Sequence, residues 1–236
     1  MRKLLLLLLC VPFIGISQNW AEDYYTNWSV FGWSMDGHVA LFESHGYDMF
    51  DGCRYRIIIQ NMKTDKVVDE LILQEIGGEG IEFEEYQCDS VYLIRHYDIE
   101  IKRLYEKYKI IEYYNNKFHK DSTINNYYEI IFKSKDAPLS QKDIEGDETE
   151  GGCELYWCGN RPIDYFLSIK DPKKRSKELT RGTDLCASDI RYVGYFKSPF
   201  ESRLLMVIYS KESDEGEMYY STYRFIGCSL NPSTFK

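Results

Sequence analysis

Short apolar runs alternate with turn residues over residues 31–73. The first turn spans residues 34–37, and its Asp36-Gly37 pair directly precedes an apolar run, as a tight hairpin requires. In the third run, Tyr55, Ile57 and Ile59 alternate with mostly polar residues, which is typical of a half-buried strand. The pattern predicts four short antiparallel strands that form one blade-like sheet.

The hydrophobic period changes near residue 89. From there, apolar residues recur at steps of three and four, which is the spacing of one face of a helix. Asp89 or Ser90 can cap the start, and Asp98 and Lys102 form an i,i+4 pair of favourable orientation. These features predict one helix over residues 89–109 that packs one face on the sheet.

The rest of the chain returns to strand patterns. Further strands are predicted within residues 110–114, 127–132, 163–169, 192–209 and 218–228, with an acidic loop over residues 135–152. Residues 192–209 run strand, turn, strand and loosely repeat residues 30–43. Two divergent copies of one hairpin are fewer than a closed propeller needs. The predicted fold class is mainly β (α+β), with antiparallel blade-like sheets, propeller-type hairpins and one mid-chain helix packed on the sheet.

The N-terminus has the pattern of a secretory signal peptide. A basic start, Met1-Arg2-Lys3, is followed by an apolar run over residues 4–14 and by small residues up to Ser17. The run is too short for a membrane span, and Leu9 before Cys10 disfavours lipoprotein processing. We expect cleavage after Ser17, which leaves residues 18–236 as a single β-rich domain in a secreted or periplasmic location.

Six cysteines remain once Cys10 is removed with the signal peptide. An even number in an exported chain favours disulfides. The order of preference is Cys153–Cys158 across a short loop, Cys186–Cys228 between two C-terminal strands, and then Cys53–Cys88. A zinc site would need closely spaced pairs, and the one short spacing, between residues 153 and 158, has no histidine near it.

Composition narrows the range of partners. The net charge of −9 disfavours binding to nucleic acid, because an acidic chain does not seek phosphate backbones. The 21 tyrosines fit half-buried strands and can also serve binding surfaces. No cofactor is predicted.

The order of these features resembles known proteins. The hairpin at residues 34–37 and the strand that leads into residues 61–68 are similar to blades of TolB- and WD40-like β-propellers. Together with the helix at 89–109 and the hairpin at 194–199, they also resemble a bacterial family of secreted proteins without an assigned activity. Residues 200–202 depart from that family's second hairpin. The resemblance implies the fold and export, and it implies no site.

Candidate chemistry centres on two of the four histidines. His38 and His45 flank a predicted strand in an acidic neighbourhood that includes Asp48 and Asp51. The two histidines could meet a metal at a blade edge. His38, His45 and Asp48 are the catalytic candidates, and Asp48 and Asp51 are the metal candidates. The alternative is that both are ordinary surface or turn histidines. The chain has no Gly-x-Ser-x-Gly, His-Glu-x-x-His or glycine-rich phosphate loop.

Three functional hypotheses follow from these observations. The first is an exported, disulfide-braced β-rich module that binds an envelope protein or a glycan and is not an enzyme. The second is an exported hydrolase with a loop-built site near His38 and His45. The third is a domain stabilised by a metal at Asp48 and Asp51 or in the acidic loop at 143–150.

Overall fold

A computed structural model describes residues 26–47, 52–76, 90–113, 116–138, 162–185, 187–200, 202–214 and 218–235. The predicted N-terminal meander is present and forms sheet A. Its strands are β1 (Thr26–Trp33), β2 (His38–Tyr47), β3 (Gly52–Asn61) and β4 (Lys66–Ile76). A short strand, β5 (Ile111–Glu112), is added beside β1, and all neighbours are antiparallel in the order β4-β3-β2-β1-β5.

The predicted helix is present, but it is interrupted at one residue. It consists of α1 (Ser90–His96) and α2 (Asp98–Tyr108), with Tyr97 between them at φ −96° and ψ 18°. Backbone hydrogen bonds continue through the bend, from Tyr97 N to Leu93 O (3.0 Å) and from Ile101 N to Tyr97 O (2.9 Å). Leu93 of α1 and Ile101 of α2 belong to one apolar cluster on sheet A.

The remaining strands form two further antiparallel sheets. Sheet B has the order β13-β12-β11-β6 and contains β6 (Phe118–His119), β11 (Ala187–Lys197), β12 (Arg203–Asp214) and β13 (Met218–Ser229). Sheet C has the order β10-β9-β8-β7 and contains β7 (Thr123–Ile124), β8 (Tyr128–Asp136), β9 (Ile163–Lys170) and β10 (Ser176–Asp184). The fold is therefore mainly β, as predicted, although the sequence pattern did not predict β10.

The sheets stack with sheet B in the middle. Side chains of β12 alternate between its two faces: Leu204 and Met206 belong to the core shared with sheet C, and Leu205 and Val207 to the core shared with sheet A. The helices cover the other face of sheet A. Four layers result, and the described strands close neither a barrel nor a propeller ring.

Aromatic packing fills the core between sheets A and B. Trp28 of β1 lies edge-on to four rings at centroid distances of 5.1 to 5.8 Å, those of Phe118, Phe196, Tyr223 and Phe225. Such edge-to-face pairs add to the apolar area that is buried. Much of the aromatic content of these strands is therefore used in packing.

The hairpins β1–β2 and β11–β12 share features that support the predicted repeat. In each, a buried turn serine donates its backbone N–H across the turn, from Ser34 to His38 O (2.9 Å) and from Ser198 to Arg203 O (3.0 Å). Each first strand has a register shift ending at a glycine, Gly32 or Gly194. A Cβ atom at either position would overlap the backbone of β5 or β6, so glycine allows the short strand to approach.

Polar contacts join the layers at their edges. Between sheets A and B, Gln60 Nε2 donates to Phe225 O (2.6 Å), and Asp65 Oδ1 accepts from Gly227 N (2.6 Å). Between sheets B and C, Asp184 Oδ2 accepts from Ser210 Oγ and from Arg224 Nη2, both at 2.8 Å. Within the described part of the chain, we find no helix with the length and apolarity needed to cross a membrane.

Candidate functional site

The β1–β2 turn holds a set of three polar residues, Ser34, Asp36 and His38, here called the turn cluster. Ser34 is fully buried, and its hydroxyl donates to Asp36 Oδ1 (2.5 Å) while accepting the backbone N–H of His38 (2.8 Å). His38 Nδ1 lies 3.0 Å from the same Asp36 oxygen. The hydrogen bonds from Ser34 and His38 lower the pKa of the Asp36 carboxyl below its ordinary value.

The geometry of the turn cluster differs from that of a nucleophilic triad. In a triad, the imidazole stands between the serine and the carboxylate, with one ring nitrogen toward each. Here Ser34 Oγ lies 3.5 Å from Nδ1, the same nitrogen that contacts Asp36, and Nε2 lies 3.5 Å from the Asn61 amide. Tyr108 packs edge-on at 5.3 Å from the His38 ring. These contacts hold the turn in shape.

A groove lies next to the turn cluster, between the β1–β2 turn and helix α2. We call it the helix–hairpin groove. Its volume is about 580 Å³, and its lining consists of Met35, Asp36, Lys102, Tyr105, Glu106, Lys109, Ile110 and Ile111. This volume lies within the usual range for ligand sites.

The groove has a buried apolar floor and exposed apolar walls. Tyr105 and Ile110 form the floor and are nearly inaccessible, whereas Met35 is 70% exposed and Ile111 is 46% exposed. Ile99 is 61% exposed and precedes Lys102 by one helical turn, so the apolar surface extends along α2. Two exposed large apolar side chains, Met35 and Ile111, thus border the groove.

The end of α2 shapes the groove. Lys109 adopts a left-handed conformation (φ 52°), and its backbone N–H bonds to the carbonyl groups of Tyr105 and Glu106. This αL cap stops the helix, and Ile110 N then donates to Tyr105 O (2.8 Å). The chain therefore turns back at Lys109 and brings Ile110 and Ile111 beneath the hairpin.

The histidines predicted to act together lie apart along one strand. His38 begins β2, and position 45 follows seven residues later in the same strand, whose register with β3 is unbroken. At the usual strand rise, the two backbone positions are about 23 Å apart.

The predicted metal candidates Asp48 and Asp51 and the acidic loop at 143–150 lie outside the described residues. Among the residues that the structure does describe, no group of three His, Cys, Asp or Glu could hold a metal ion.

The predicted disulfides fall mostly outside the described structure. Of the six cysteines, the side chain of Cys228 is described, and it is buried with a free thiol. Cys228 is opposite Leu204, whereas Ala187, the neighbour of Cys186 in sequence, is opposite Glu212, eight positions further along β12. Cys186 itself lies outside the described residues. The pairings Cys153–Cys158, Cys186–Cys228 and Cys53–Cys88 stay predictions.

The groove residues were not identified from the sequence. The helix face that contributes Lys102, Glu106 and Lys109 could have been found from its three- and four-residue spacing. The other wall comes from Met35 and Ile111, which are far apart in sequence and meet through the pairing of β1 with β5. No local pattern reports that pairing.

Comparisons of the chain with protein-family models, with curated proteins and with solved structures find no match. The resemblance to a bacterial secreted family with propeller-type hairpins therefore stays a prediction.

Proposed function

We propose that this chain is a binding module that acts outside the cytoplasm, in a secreted or periplasmic location, and that the helix–hairpin groove is its binding site. The observation that carries the proposal is the groove of about 580 Å³ with Met35 and Ile111 exposed on its walls. The signal-peptide pattern of residues 1–17 supports the location. The partner is an envelope protein or a glycan.

The physical reason is the clustering of apolar surface. Single exposed hydrophobic residues are common on proteins and need no explanation, but a group of them around a depression marks an interaction site. Covering Met35 and Ile111 removes apolar area from water at a gain of about 25 cal/mol per Å². The floor residues Tyr105 and Ile110 are packed on sheet A, so the site is largely formed before a partner arrives.

Site-specific photo-crosslinking in the native host tests the location of the binding site. A benzophenone side chain is placed at Met35 or at Ile111, and, as a control, at Val67, which is 56% exposed on β4 and does not line the groove. We expect a discrete crosslinked product from the two groove positions and none from Val67. Equal products from all three positions, or none from the groove, would contradict the proposal.

The intact mass of the protein from each cell fraction tests the proposed cellular location. We expect a chain that begins at Gln18 in the extracytoplasmic fraction. A chain that retains Met1 and stays in the cytoplasm would reject the proposed export.

An exported hydrolase with a site near His38 and His45 is the second candidate. One contact favours it: the Asp36 carboxylate lies against His38 Nδ1 at 3.0 Å, and such a contact orients an imidazole. If the hydrolase site is at His38, His38→Gln abolishes the turnover of a small ester or peptide substrate without lowering the melting temperature, whereas His45→Ala, about 23 Å away along β2, leaves turnover unchanged. Unchanged turnover in His38→Gln ends the hypothesis.

A further inference from the structure

Turns of all three sheets meet at one end of the molecule, here called the turn end. Sheet A contributes the β1–β2 and β3–β4 turns, sheet B the β11–β12 turn, and sheet C the β7–β8 and β9–β10 turns. Contacts with residues 227–230, at the end of β13, hold the sheets together there. Two N–H groups of this segment donate to Asp65 Oδ1 (2.6 Å) and to the carbonyl oxygen of Ser202 (2.7 Å), and one of its carbonyl groups accepts from Lys177 Nζ (3.4 Å).

The turn end is rich in exposed lysines. They stand in or beside the turns of all three sheets and at the C-cap of α2, and they are Lys63, Lys66, Lys109, Lys173, Lys174 and Lys197. Among the residues that the structure describes, no carboxylate forms an ion pair with any of these lysines. Because packed sheets lie about 10 Å apart, the lysines are spread over about 20 Å from sheet A to sheet C.

Most of the described carboxylates at the turn end are engaged within the protein. Asp171 is 4% exposed and pairs with Arg175 at 2.6 Å. Asp65 accepts the β13 N–H, and Asp36 is held in the turn cluster, close to the lysine at the C-cap of α2. Glu129 is exposed and stands beside the last residue of β9. Positive charge therefore dominates this end, although the whole chain carries a net charge of −9.

Two strongly exposed apolar side chains lie at the same end. Met35 in the β1–β2 turn and Tyr127 in the β7–β8 turn are each 70% exposed, the largest exposed fraction among the large hydrophobic side chains that the structure describes. The β1–β2 turn is joined to the β3–β4 turn by the bond from Met62 N to Gly37 O (2.8 Å). The start of β8 pairs with the end of β9, so Tyr127 lies beside the β9–β10 turn.

We infer that the turn end docks the protein on an anionic lipid surface. Lysine side chains reach lipid phosphate groups on flexible stems, and a tyrosine ring lies at the level of the headgroups with its hydroxyl in water. Cations that bind a single phosphate converge on one point, whereas the lysines here are spread out, as a planar surface requires. A soluble polyanion would pair with the lysines but would leave Met35 and Tyr127 in water.

The acidic remainder of the chain does not prevent this docking. The potential of a membrane surface decays within a Debye length, about 8 Å at physiological ionic strength, so the charges nearest the lipid decide the sign of the interaction. Each lysine near an anionic bilayer strengthens binding about fivefold. The inference goes beyond the proposed function, because Lys173, Lys174 and Tyr127 do not line the helix–hairpin groove.

Sedimentation of the chain that begins at Gln18 with lipid vesicles tests the inference. The vesicles consist of phosphatidylcholine alone or with about one-third phosphatidylglycerol. We expect binding to the anionic vesicles at low salt, binding at least about tenfold weaker to the neutral ones, and release at about 1 M salt, where the Debye length falls to about 3 Å. Inorganic phosphate should not displace the protein from the vesicles, and polygalacturonate, a soluble anionic glycan, should bind more weakly than the anionic vesicles.

A pair of double variants locates the charge that binds the lipid. Lys173→Gln combined with Lys174→Gln should weaken binding to anionic vesicles about 25-fold. The matched control, Lys133→Gln combined with Lys135→Gln, removes the same charge from exposed positions of β8. Lys133 is opposite Phe166, four residues or about 13 Å before the end of β9, so the control should bind as wild type.

A second pair of variants tests the apolar contact. Tyr127→Ser should weaken binding to anionic vesicles about threefold or more, because the ring no longer leaves water. The control Tyr92→Ser changes a tyrosine that is 53% exposed on α1, more than four helical turns before Lys109, and should bind as wild type. Unchanged melting temperatures exclude unfolding as the cause of any loss.

Several outcomes overturn the inference. These are equal binding to neutral and anionic vesicles, no binding to either, displacement by inorganic phosphate, and an equal loss in the Lys133 and Lys135 control. If polygalacturonate binds as tightly as the vesicles and Tyr127→Ser has no effect, the partner is an anionic glycan and not a membrane. All of these results leave the proposed function untouched, because the crosslink at residue 111 decides it.

Discussion

At the scale of single residues, Gly227 is the described glycine at which an added Cβ atom would come closest to a neighbouring atom. It lies on β13 under the β3–β4 turn, and a Cβ atom there would overlap the carbonyl group of Met62. The overlap is with backbone, which cannot rotate away. We predict that Gly227→Ala lowers the free energy of unfolding by about 1–3 kcal/mol or more, measured by urea denaturation.

The matched control for that substitution is Gly182→Ala. There, the added Cβ meets the ring and hydroxyl of Tyr165, a side chain that can shift. The loss of stability should therefore be smaller than at Gly227. Equal losses of stability in the two variants would show that the overlap with the backbone of the β3–β4 turn is not what destabilises Gly227→Ala.

Asp36 makes the stability of the fold depend on pH, because its pKa is lower in the folded than in the unfolded chain. Its ordinary pKa is 3.8, and hydrogen bonds from Ser34 and His38 lower it in the fold. A lowered carboxyl pKa stabilises the fold at pH above the unfolded value, and the contribution is lost as the pH falls through the folded pKa. We predict that Ser34→Ala moves the pKa of Asp36 back toward 3.8, as followed by NMR titration of its carboxyl carbon.

Ser34→Ala has a second expected effect and an internal control. Removing the buried hydroxyl takes away the acceptor for the His38 N–H, so stability should fall by about 1–2 kcal/mol. Asp69, whose pKa is lowered by Lys107, lies elsewhere on the chain and should keep its value in the same spectra. An Asp36 pKa that does not move would mean that Ser34 is not the main cause of the lowering.

At the scale of elements, the sequence was informative where apolar residues recur with the period of the element. The alternation of Tyr55, Ile57 and Ile59 predicted β3, whose Ile57 and Ile59 face the helix-covered side of sheet A. The strand is not half-buried as predicted, because Ile58 on its other face packs against sheet B. β10 was missed because it is an edge strand with the sequence SKELTRGTD, in which Leu179 is the only large apolar residue. The break at Tyr97 was missed because helical periodicity continues across it.

Helix α2 provides an element-scale test of the packing on sheet A. Leu104 is 9% exposed and belongs to the cluster beneath the helix, whereas Ile99 on the same helix is 61% exposed. We predict that Leu104→Ala costs about 2–4 kcal/mol of unfolding free energy through the cavity that it leaves. Ile99→Ala should change it by less than about 0.5 kcal/mol. Similar losses of unfolding free energy in the two variants would show that Leu104 is not on the face of α2 that packs on sheet A.

At the scale of the whole molecule, buried Asp184 connects sheets B and C. It is 5% exposed and holds both Ser210 and Arg224, on two different strands of sheet B. Removing its carboxylate takes away the direct ion pair of the partly buried Arg224. We predict that Asp184→Ala costs about 2–4 kcal/mol in chemical denaturation, below the largest values for buried pairs because Arg224 retains some contact with water.

The control for Asp184 is Asp189→Ala. Asp189 lies 3.6 Å from Arg191, and about half of each side chain is exposed. Surface ion pairs of this kind contribute little, so the expected change is below about 1 kcal/mol. If Asp189→Ala lost as much stability as Asp184→Ala, burial would not explain the larger contribution expected from the Asp184 ion pair.

Cys228 decides whether the three predicted disulfides can all exist. Its thiol lies in the core between sheets B and C, and burial raises its pKa to about 12. A buried, protonated thiol reacts slowly with alkylating agents. We predict that Cys228 of the exported protein is not alkylated in the native state and is alkylated after denaturation without a reductant, as mapped by peptide mass spectrometry.

A free Cys228 would leave five cysteines of the exported chain, which can form at most two disulfides. Protection of Cys228 in the denatured, unreduced chain would instead show that it is oxidised, in support of the predicted Cys186–Cys228 bond.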